Sequence, residues 1–258
     1  MADFIPCLQI MSHAVVGFPA LEENLRAIDG LVAAGVNLIE LQVPFSDPVA
    51  DGPTLVNACY EALKQGGSVS ATLELARRAC ERHPQVRFIL MSYLNPLYRY
   101  GLEACFRDAA AAGIRGLIIP DWPVEDVEPM LPLLDELDLA PILMVTPNTP
   151  AERLRRLSAA SRMMVYVVAR MGVTGKQTNW DATFDAYIAD IRAQTDLPLA
   201  VGFGVRSAED LRALNGKVDI AAVCSRYIEW QASGGSDFAA GQMQQLIHQA
   251  GLESAPFG

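Results

Sequence analysis

The chain has 258 residues, 51% of them hydrophobic, a mean hydropathy of +0.20, a formal net charge of -10 and a pI near 4.8. The acidic balance disfavours nucleic acid and anionic membrane as partners, and no uninterrupted apolar run reaches the about 18 residues of a membrane span. Cys7, Cys59, Cys80, Cys105 and Cys224 are odd in number and free of CxxC spacing, which fits buried reduced thiols better than disulfides or a zinc site.

The first residues, Met1 to Pro6, lack the basic flank and apolar core of a signal peptide, so a cytoplasmic location is expected. Eight short apolar runs then recur along the chain: Leu8 to Val16, Val36 to Val43, Val86 to Met91, Gly116 to Ile119, Pro141 to Val145, Met164 to Ala169, Leu197 to Val201 and Val218 to Val223. Between them lie helical spacings, such as Leu21, Leu25, Ile28, Leu31, Val32 and Leu73, Leu75, Ala76, Ala79. Strands that are almost continuously apolar must be covered on both faces, as in a parallel sheet. Eight strand–helix units favour an α/β fold of the single (β/α)8 TIM-barrel type over an open doubly wound sheet. No repeat or linker divides the chain, so one domain over residues 1–258 is expected. Gly35 and Gly113 read as helix C-caps, and Gly17-Phe-Pro19 and Asp51-Gly-Pro53 as turns entering helices. The tail from Leu252 has no periodicity and reads as a frayed end.

Chemistry concentrates on the turns that follow strands, which form the catalytic rim of such a barrel. Glu40 stands near the end of the second strand, where an isolated carboxylate costs several kcal/mol to desolvate. With Asp51 at the end of the following loop, it could do acid and base work on one substrate. The structural alternatives are that Glu40 pairs with a lysine or arginine and Asp51 caps the helix starting near Pro53. Gly172 to Gly175, Gly202-Phe-Gly204 and Cys224-Ser225 lie on three consecutive late turns, suited to a phosphate bound by backbone N–H groups. Glycine serves tight geometry at such turns as well. Tyr93, Ile118, Tyr166 and Phe203 fall near strand ends and could line a slot for a flat aromatic moiety, although each alone is more often ordinary core. His13 reads as a structural or pocket-wall residue, and His83 and His248 as exposed helical residues.

The segment from Glu40 through Pro44-Phe-Ser-Asp-Pro48 to Ala50-Asp-Gly-Pro53 resembles the signature of the tryptophan synthase alpha subunit family. Met91 to Pro96, Pro120-Asp-x-Pro123, Gly172 to Gly175 and Val201 to Gly204 match in register, over roughly residues 14 to 230. The resemblance implies a (β/α)8 barrel that cleaves indole-3-glycerol phosphate to indole and glyceraldehyde 3-phosphate. It implies no metal or organic cofactor, and a pyridoxal-phosphate-dependent beta subunit as partner in an alpha2beta2 heterotetramer. Glu40 matches the general acid/base and Asp51 the carboxylate that holds the indole N–H. Gly175, Gly204 and Ser225 match phosphate-holding positions, with Gly202 shaping the same turn. Thr174 matches the loop that closes the site, and Tyr93, Ile118, Tyr166 and Phe203 the indole-facing walls. Asp47 and Pro48 match positions that face the partner.

Four features depart from the pattern. His13 stands where a phenylalanine is usual, Gln42 and Cys224 where glycine is usual, and the helix that plugs the barrel bottom is missing or reduced to Met1 to Pro6. These leave two alternatives open: a divergent lyase for indole-glycerol phosphate or a related aryl phosphate, and a weakly active paralogue that regulates a beta subunit.

Overall fold

A period of two along each apolar run, with both phases apolar, asks for a sheet buried on both faces. The structure, a computed structural model, describes residues 8–169 and 180–252. Its strands are β1 (Gln9–Val15), β2 (Leu38–Gln42), β3 (Arg87–Met91), β4 (Gly116–Ile118), β5 (Ala140–Pro141), β6 (Met144–Val145), β7 (Val165–Val168), β8 (Leu199–Gly202) and β9 (Ile220–Val223). All pair in parallel, in the order β5-β4-β3-β2-β1-β9-β8-β7-β6. The two ends of that order, β5 and β6, are halves of one expected strand, separated only by Ile142 and Leu143. Ile142 donates its N–H to the Leu117 carbonyl on one side (2.8 Å), and the Leu143 carbonyl accepts from the Tyr166 N–H on the other (3.0 Å). The run 140–145 therefore joins both edges and closes a (β/α)8 barrel, which leaves no exposed edge strand among the described residues. Pro141 has no N–H and that of Leu143 goes to the Ser161 hydroxyl (3.2 Å), so the ladder is interrupted where the strand divides.

The two phases of each strand enter two separate apolar clusters. Leu38, Ile89, Ile118, Ile142, Met164, Tyr166, Ala200 and Ala222 fill the barrel interior. Ile39, Leu41, Leu90, Leu117, Val165, Val167, Val201 and Val223 pack outward against the helices. On β2 the inward phase is Leu38, Glu40, Gln42, so the barrel axis turns from apolar to polar towards its carboxyl-end rim.

The helices are α1 (Leu21–Ala33), α2 (Pro53–Lys64), α3 (Val69–Arg82), α4 (Leu94–Tyr100), α5 (Leu102–Ala111), α6 (Val124–Val127), α7 (Leu131–Glu136), α8 (Ala151–Ala160), α9 (Ala182–Arg192), α10 (Ala208–Leu214) and α11 (Ser225–Gln249), the last bent at Gly235. Among the described residues no helix is long and apolar enough to cross a membrane. Both expected C-caps form. Gly35 and Gly113 take φ of +95° and +94°, and the following Val36 and Ile114 donate N–H groups to the Leu31 and Ala109 carbonyls. The turn after β1 is pinned from α1: the Asn24 side chain accepts from the Gly17 N–H (2.7 Å) and donates to the Val15 and Phe18 carbonyls (3.1 and 3.0 Å).

Two sequence expectations are corrected. Leu252 is buried and donates its N–H to the Ile247 carbonyl (3.2 Å), so the chain is packed to that point. His83 caps α3 half-buried, with Nε2 2.6 Å from Asp29, because the turn into β3 folds it against α1; His248 is exposed as expected. Cys59, Cys80, Cys105 and Cys224 are free thiols; Cys7 and the rest of the Met1 to Pro6 stretch lie outside the described residues.

A β-carbon on Gly113 would sit 2.8 Å from the Cys80 β-carbon, whereas at Gly216 (φ +82°) it would meet nothing within 4 Å. Gly216→Ala therefore has only the left-handed backbone to bear, about 1–2 kcal/mol, and Gly113→Ala about 1–3 kcal/mol more from overpacking. Urea unfolding midpoints of the two variants measure the difference directly.

Candidate active site

The register of β1 against β2 sets His13 opposite Glu40, with both side chains turned into the barrel. Their contact follows from that pairing: His13 Nδ1 lies 2.7 Å from Glu40 Oε2. Gln42, one pleat further along β2, puts its amide oxygen 2.6 Å from His13 Nε2 and donates its amide N–H to Asp51 Oδ2 (2.9 Å). Asp51 Oδ2 also accepts the Tyr93 hydroxyl (3.1 Å), which in turn accepts the Ala50 N–H (3.0 Å). One continuous chain of hydrogen bonds thus runs Glu40, His13, Gln42, Asp51, Tyr93. Relative exposures of 4% for Glu40, 2% for His13, 0% for Gln42 and 9% for Asp51 place it out of bulk solvent.

With Asp51 ionised, the donor and acceptor roles along this chain follow. A carboxylate at Asp51 can only accept, so the Gln42 NH2 faces it and the Gln42 oxygen faces His13. His13 Nε2 must then carry a proton, and Nδ1 shares another with Glu40. Burial by itself pushes the His13 pKa down. The hydrogen bond and charge of Glu40, joined by Gln42 and Asp51, outweigh it and hold that pKa above the ordinary imidazole value. Burial raises Asp51 above the ordinary carboxylate range, while His13, Gln42 and Tyr93 pull it partly back. Glu40 Oε1 is buried and has no hydrogen-bond partner among the described residues. It is a site oxygen left to act on something else.

Both structural alternatives for the acids give way. Glu40 is paired with a histidine rather than a lysine or arginine, and α2 is capped by Gly52 without a side-chain bond while Asp51 turns inward. His13, expected as wall, touches the acid itself. Tyr93, Ile118 and Tyr166 line the interior as expected, with Phe203 packed beside them. The Phe45 and Tyr93 rings are tilted at 5.6 Å and Tyr166 meets Phe203 edge-on at 6.4 Å. Gly202 is required by Tyr166, whose hydroxyl would lie 2.1 Å from a β-carbon there. Phe203 takes φ +68° and Gly204 φ +137°, so the turn after β8 is left-handed over two residues.

The two described late turns meet in a small cavity lined by Gly204, Cys224 and Ser225 together with Arg206 and Arg226, which sequence reasoning missed. Both arginines pair with Glu229 (2.6 and 3.0 Å), yet Arg206 Nη1 and Arg226 Nε are buried without partners among the described residues. Their signal was positional: they follow the glycine and serine turns by two residues and one. Thr174 and Gly175 lie outside the described residues. Among the described residues, His13, Glu40 and Cys224 bring possible metal-ligand atoms within 4.8 Å of one another. Two ligand atoms on a tetrahedral zinc stand about 3.3 Å apart, from bonds of about 2.0 Å. The 2.7 Å between His13 and Glu40 is instead a hydrogen-bond distance. Burial pushes the Cys224 thiol well up, which keeps it uncharged.

Comparison with known proteins agrees with this geometry. The pattern of the family described as tryptophan synthase alpha chain matches residues 8–252. A tryptophan synthase alpha chain from Desulfotalea psychrophila is 42% identical over 219 residues, covering 85% of this chain and 86% of its own length. Tryptophan synthase from Mycobacterium tuberculosis superimposes with a TM-score of 0.87 at 32% identity, over 96% of this chain and 94% of that one. A mutant tryptophan synthase alpha-subunit from Pyrococcus furiosus gives 0.84 at 25% identity, over 96% and 99%. A barrel of matching course, an acid at the end of β2 and a second acid on the loop after it place this chain in the tryptophan synthase alpha chain family.

Proposed function

We propose that the chain cleaves indole-3-glycerol phosphate to indole and glyceraldehyde 3-phosphate, with Glu40 as the proton-transfer group and Asp51 as the anchor of the indole N–H. The observation that carries these roles is the buried, unpartnered Oε1 of Glu40 in the same interior as Asp51. The bond between indole C3 and the glycerol chain breaks once C3 is protonated, because the ring then becomes an electron-accepting indoleninium. Glu40 Oε1 gives that proton. Asp51 accepts the ring N–H and stabilises the positive charge developing on it. As the carbon–carbon bond breaks, its electrons return to the ring, the adjacent hydroxyl gives its proton to Glu40, and the aldehyde leaves. One proton goes out and one comes back, so Glu40 is ready for the next cycle.

Tyr93, Ile118, Tyr166 and Phe203 form the apolar surroundings that suit an indole and strengthen the two carboxylates' interactions with it. Gly202, Gly204 and Ser225, with Gly175, form the phosphate side in this reading, and Thr174 belongs to the loop that closes the site. The unpaired N–H groups of Arg206 and Arg226 support it, since a buried donor without an acceptor costs about 1–3 kcal/mol that an anion can recover.

A beta-subunit partner is supported by the surface beside the acids. Val56, Tyr60 and Leu63 line one open face of α2, and Val49 (77% exposed) stands on the loop before Asp51. Asp47 on the same loop is exposed, but Pro48 is buried, its carbonyl accepting the Asp51 N–H (3.0 Å). In this reading Asp47 and Val49 face the partner, and Pro48 braces the loop from inside.

Glu40→Gln should lower indole release from indole-3-glycerol phosphate by about 10²-fold or more in a folded protein; a normal rate in that variant would refute the mechanism. Arg226→Ala should raise KM several-fold with kcat little changed, the mark of lost uniform binding. Val49→Asp combined with Tyr60→Ala should weaken association with a tryptophan synthase beta chain by about tenfold or more. Titration calorimetry reads that loss, and unchanged substrate binding in the same variant shows that the pocket is intact.

A further inference from the structure

His13 and Gln42 have no part in the chemistry just described, yet each of their polar side-chain atoms is committed to it. Glu40 Oε2 is occupied by His13 Nδ1, His13 Nε2 by the Gln42 oxygen, and the Gln42 NH2 by Asp51. Both residues also stand at positions where the chain departs from the family pattern, and the fold brings the two departures together on the catalytic acid.

We infer that His13 is the positioning residue of Glu40: its imidazolium, locked by Gln42, holds Oε2 so that Oε1 alone exchanges protons with the substrate. The inference rests on the lyase reading of the site. When Oε1 gives its proton to indole C3, the new carboxylate faces a cation 2.7 Å away, in surroundings where such a pair is strong. When the hydroxyl proton returns to Oε1, His13 has kept both of its own protons, so nothing is consumed. The groups facing His13 are Glu40 on β2, Asp51 on the next loop and Cys224 after β9, with Tyr93 from β3 and Tyr166 from β7 in the same interior. Burial pushes the Tyr93 and Tyr166 phenols and the Cys224 thiol up, so these three stay neutral. The groups left to change charge are the imidazole and the two carboxyl groups.

This arrangement has a pH limit of definite sign. His13 holds its extra proton at pH values below its raised pKa and loses it as pH climbs through that value. Gln42 keeps the Nε2 proton, so the one lost is on Nδ1, and a bare nitrogen lone pair then faces the Glu40 carboxylate. The hydrogen bond becomes a repulsion and the acid is released from its position.

The chain contains three histidines, His13, His83 and His248, so ¹⁵N-histidine NMR of the wild-type protein, assigned with His83→Gln and His248→Gln, reads the network without any assay of activity. His13 should lose its second ring proton above the ordinary imidazole pKa, and at lower pH in Glu40→Gln than in the wild-type protein; a wild-type His13 that loses it at or below the ordinary imidazole pKa would overturn the inference. In kinetics, wild-type kcat should fall as pH rises through the pKa that NMR gives for His13. His13→Phe, shown to be folded by circular dichroism, should lose about tenfold or more in kcat, with little change in KM and no such fall. His13→Gln, whose amide can still donate to Oε2 without a charge, should recover part of the rate but not the pH dependence. Unchanged kcat and pH profile in His13→Phe would sink the proposal. If the wild-type protein released no indole at all, the lyase reading would fail while the NMR titration still decided the network.

Discussion

A carboxyl group inside a barrel is the constraint on which the upper half of this molecule depends. Taking an ionised carboxylate out of water costs several kcal/mol unless partners replace the lost hydration. Here Oε2 of Glu40 has such a partner in His13 and Oε1 has none among the described residues. The imbalance matters because a carboxylate with both oxygens satisfied would be a structural group, slow to take or give a proton. His13 offsets enough of the burial to keep the acid in place, and what is left uncompensated is the part that can react.

Barrel closure makes the arrangement rigid. The His13 to Glu40 contact is fixed by β1–β2 register, and β1 is held on its other side by β9, where the Ser12 hydroxyl also donates to the Val223 carbonyl (2.9 Å). A slip of one residue would turn Glu40 outward among the helices and bring Ile39 and Leu41 into the interior. The apolar phases of eight strands oppose that slip together. Much of the hydrophobic patterning thus serves to aim one oxygen atom.

How much of this was legible in the sequence follows from range. The strands, the C-caps at Gly35 and Gly113 and the acid-bearing loop depend on neighbouring residues, and reading along the chain found them. Pairing across strands was not legible, because nothing local states that His13 lies opposite Glu40 when 27 residues separate them. Period-two reasoning came close, since it puts Glu40 and Gln42 on one face, but without the register His13 could be read only as a wall. Arg206 and Arg226 were missed because each looks like an ordinary surface residue until the fold closes their turns on a common cavity. Pro48 failed for the opposite reason: a motif was matched position by position, and burial differs within a single loop.

The Gly202-Phe203-Gly204 turn shows how a short motif can answer two separate demands. Gly202 has an extended neighbour to clear: the Tyr166 ring occupies the space a β-carbon would need. Gly204 answers a backbone demand, with φ +137°, and Phe203 between them accepts a left-handed φ of +68° that costs a non-glycine residue about 1–2 kcal/mol. That cost is tolerable because the strained residue keeps its ring against Tyr166 while its turn leads straight to the arginines. Strain at the turn and unpaired guanidinium N–H groups beside it raise the free energy of the same corner. An anion seated there lowers the second contribution while leaving the first, so the corner gains from ligand binding without having to refold. The acid side of the pocket is the reverse case, with the partners of Glu40 Oε2 and Asp51 Oδ2 already in place and Glu40 Oε1 held back.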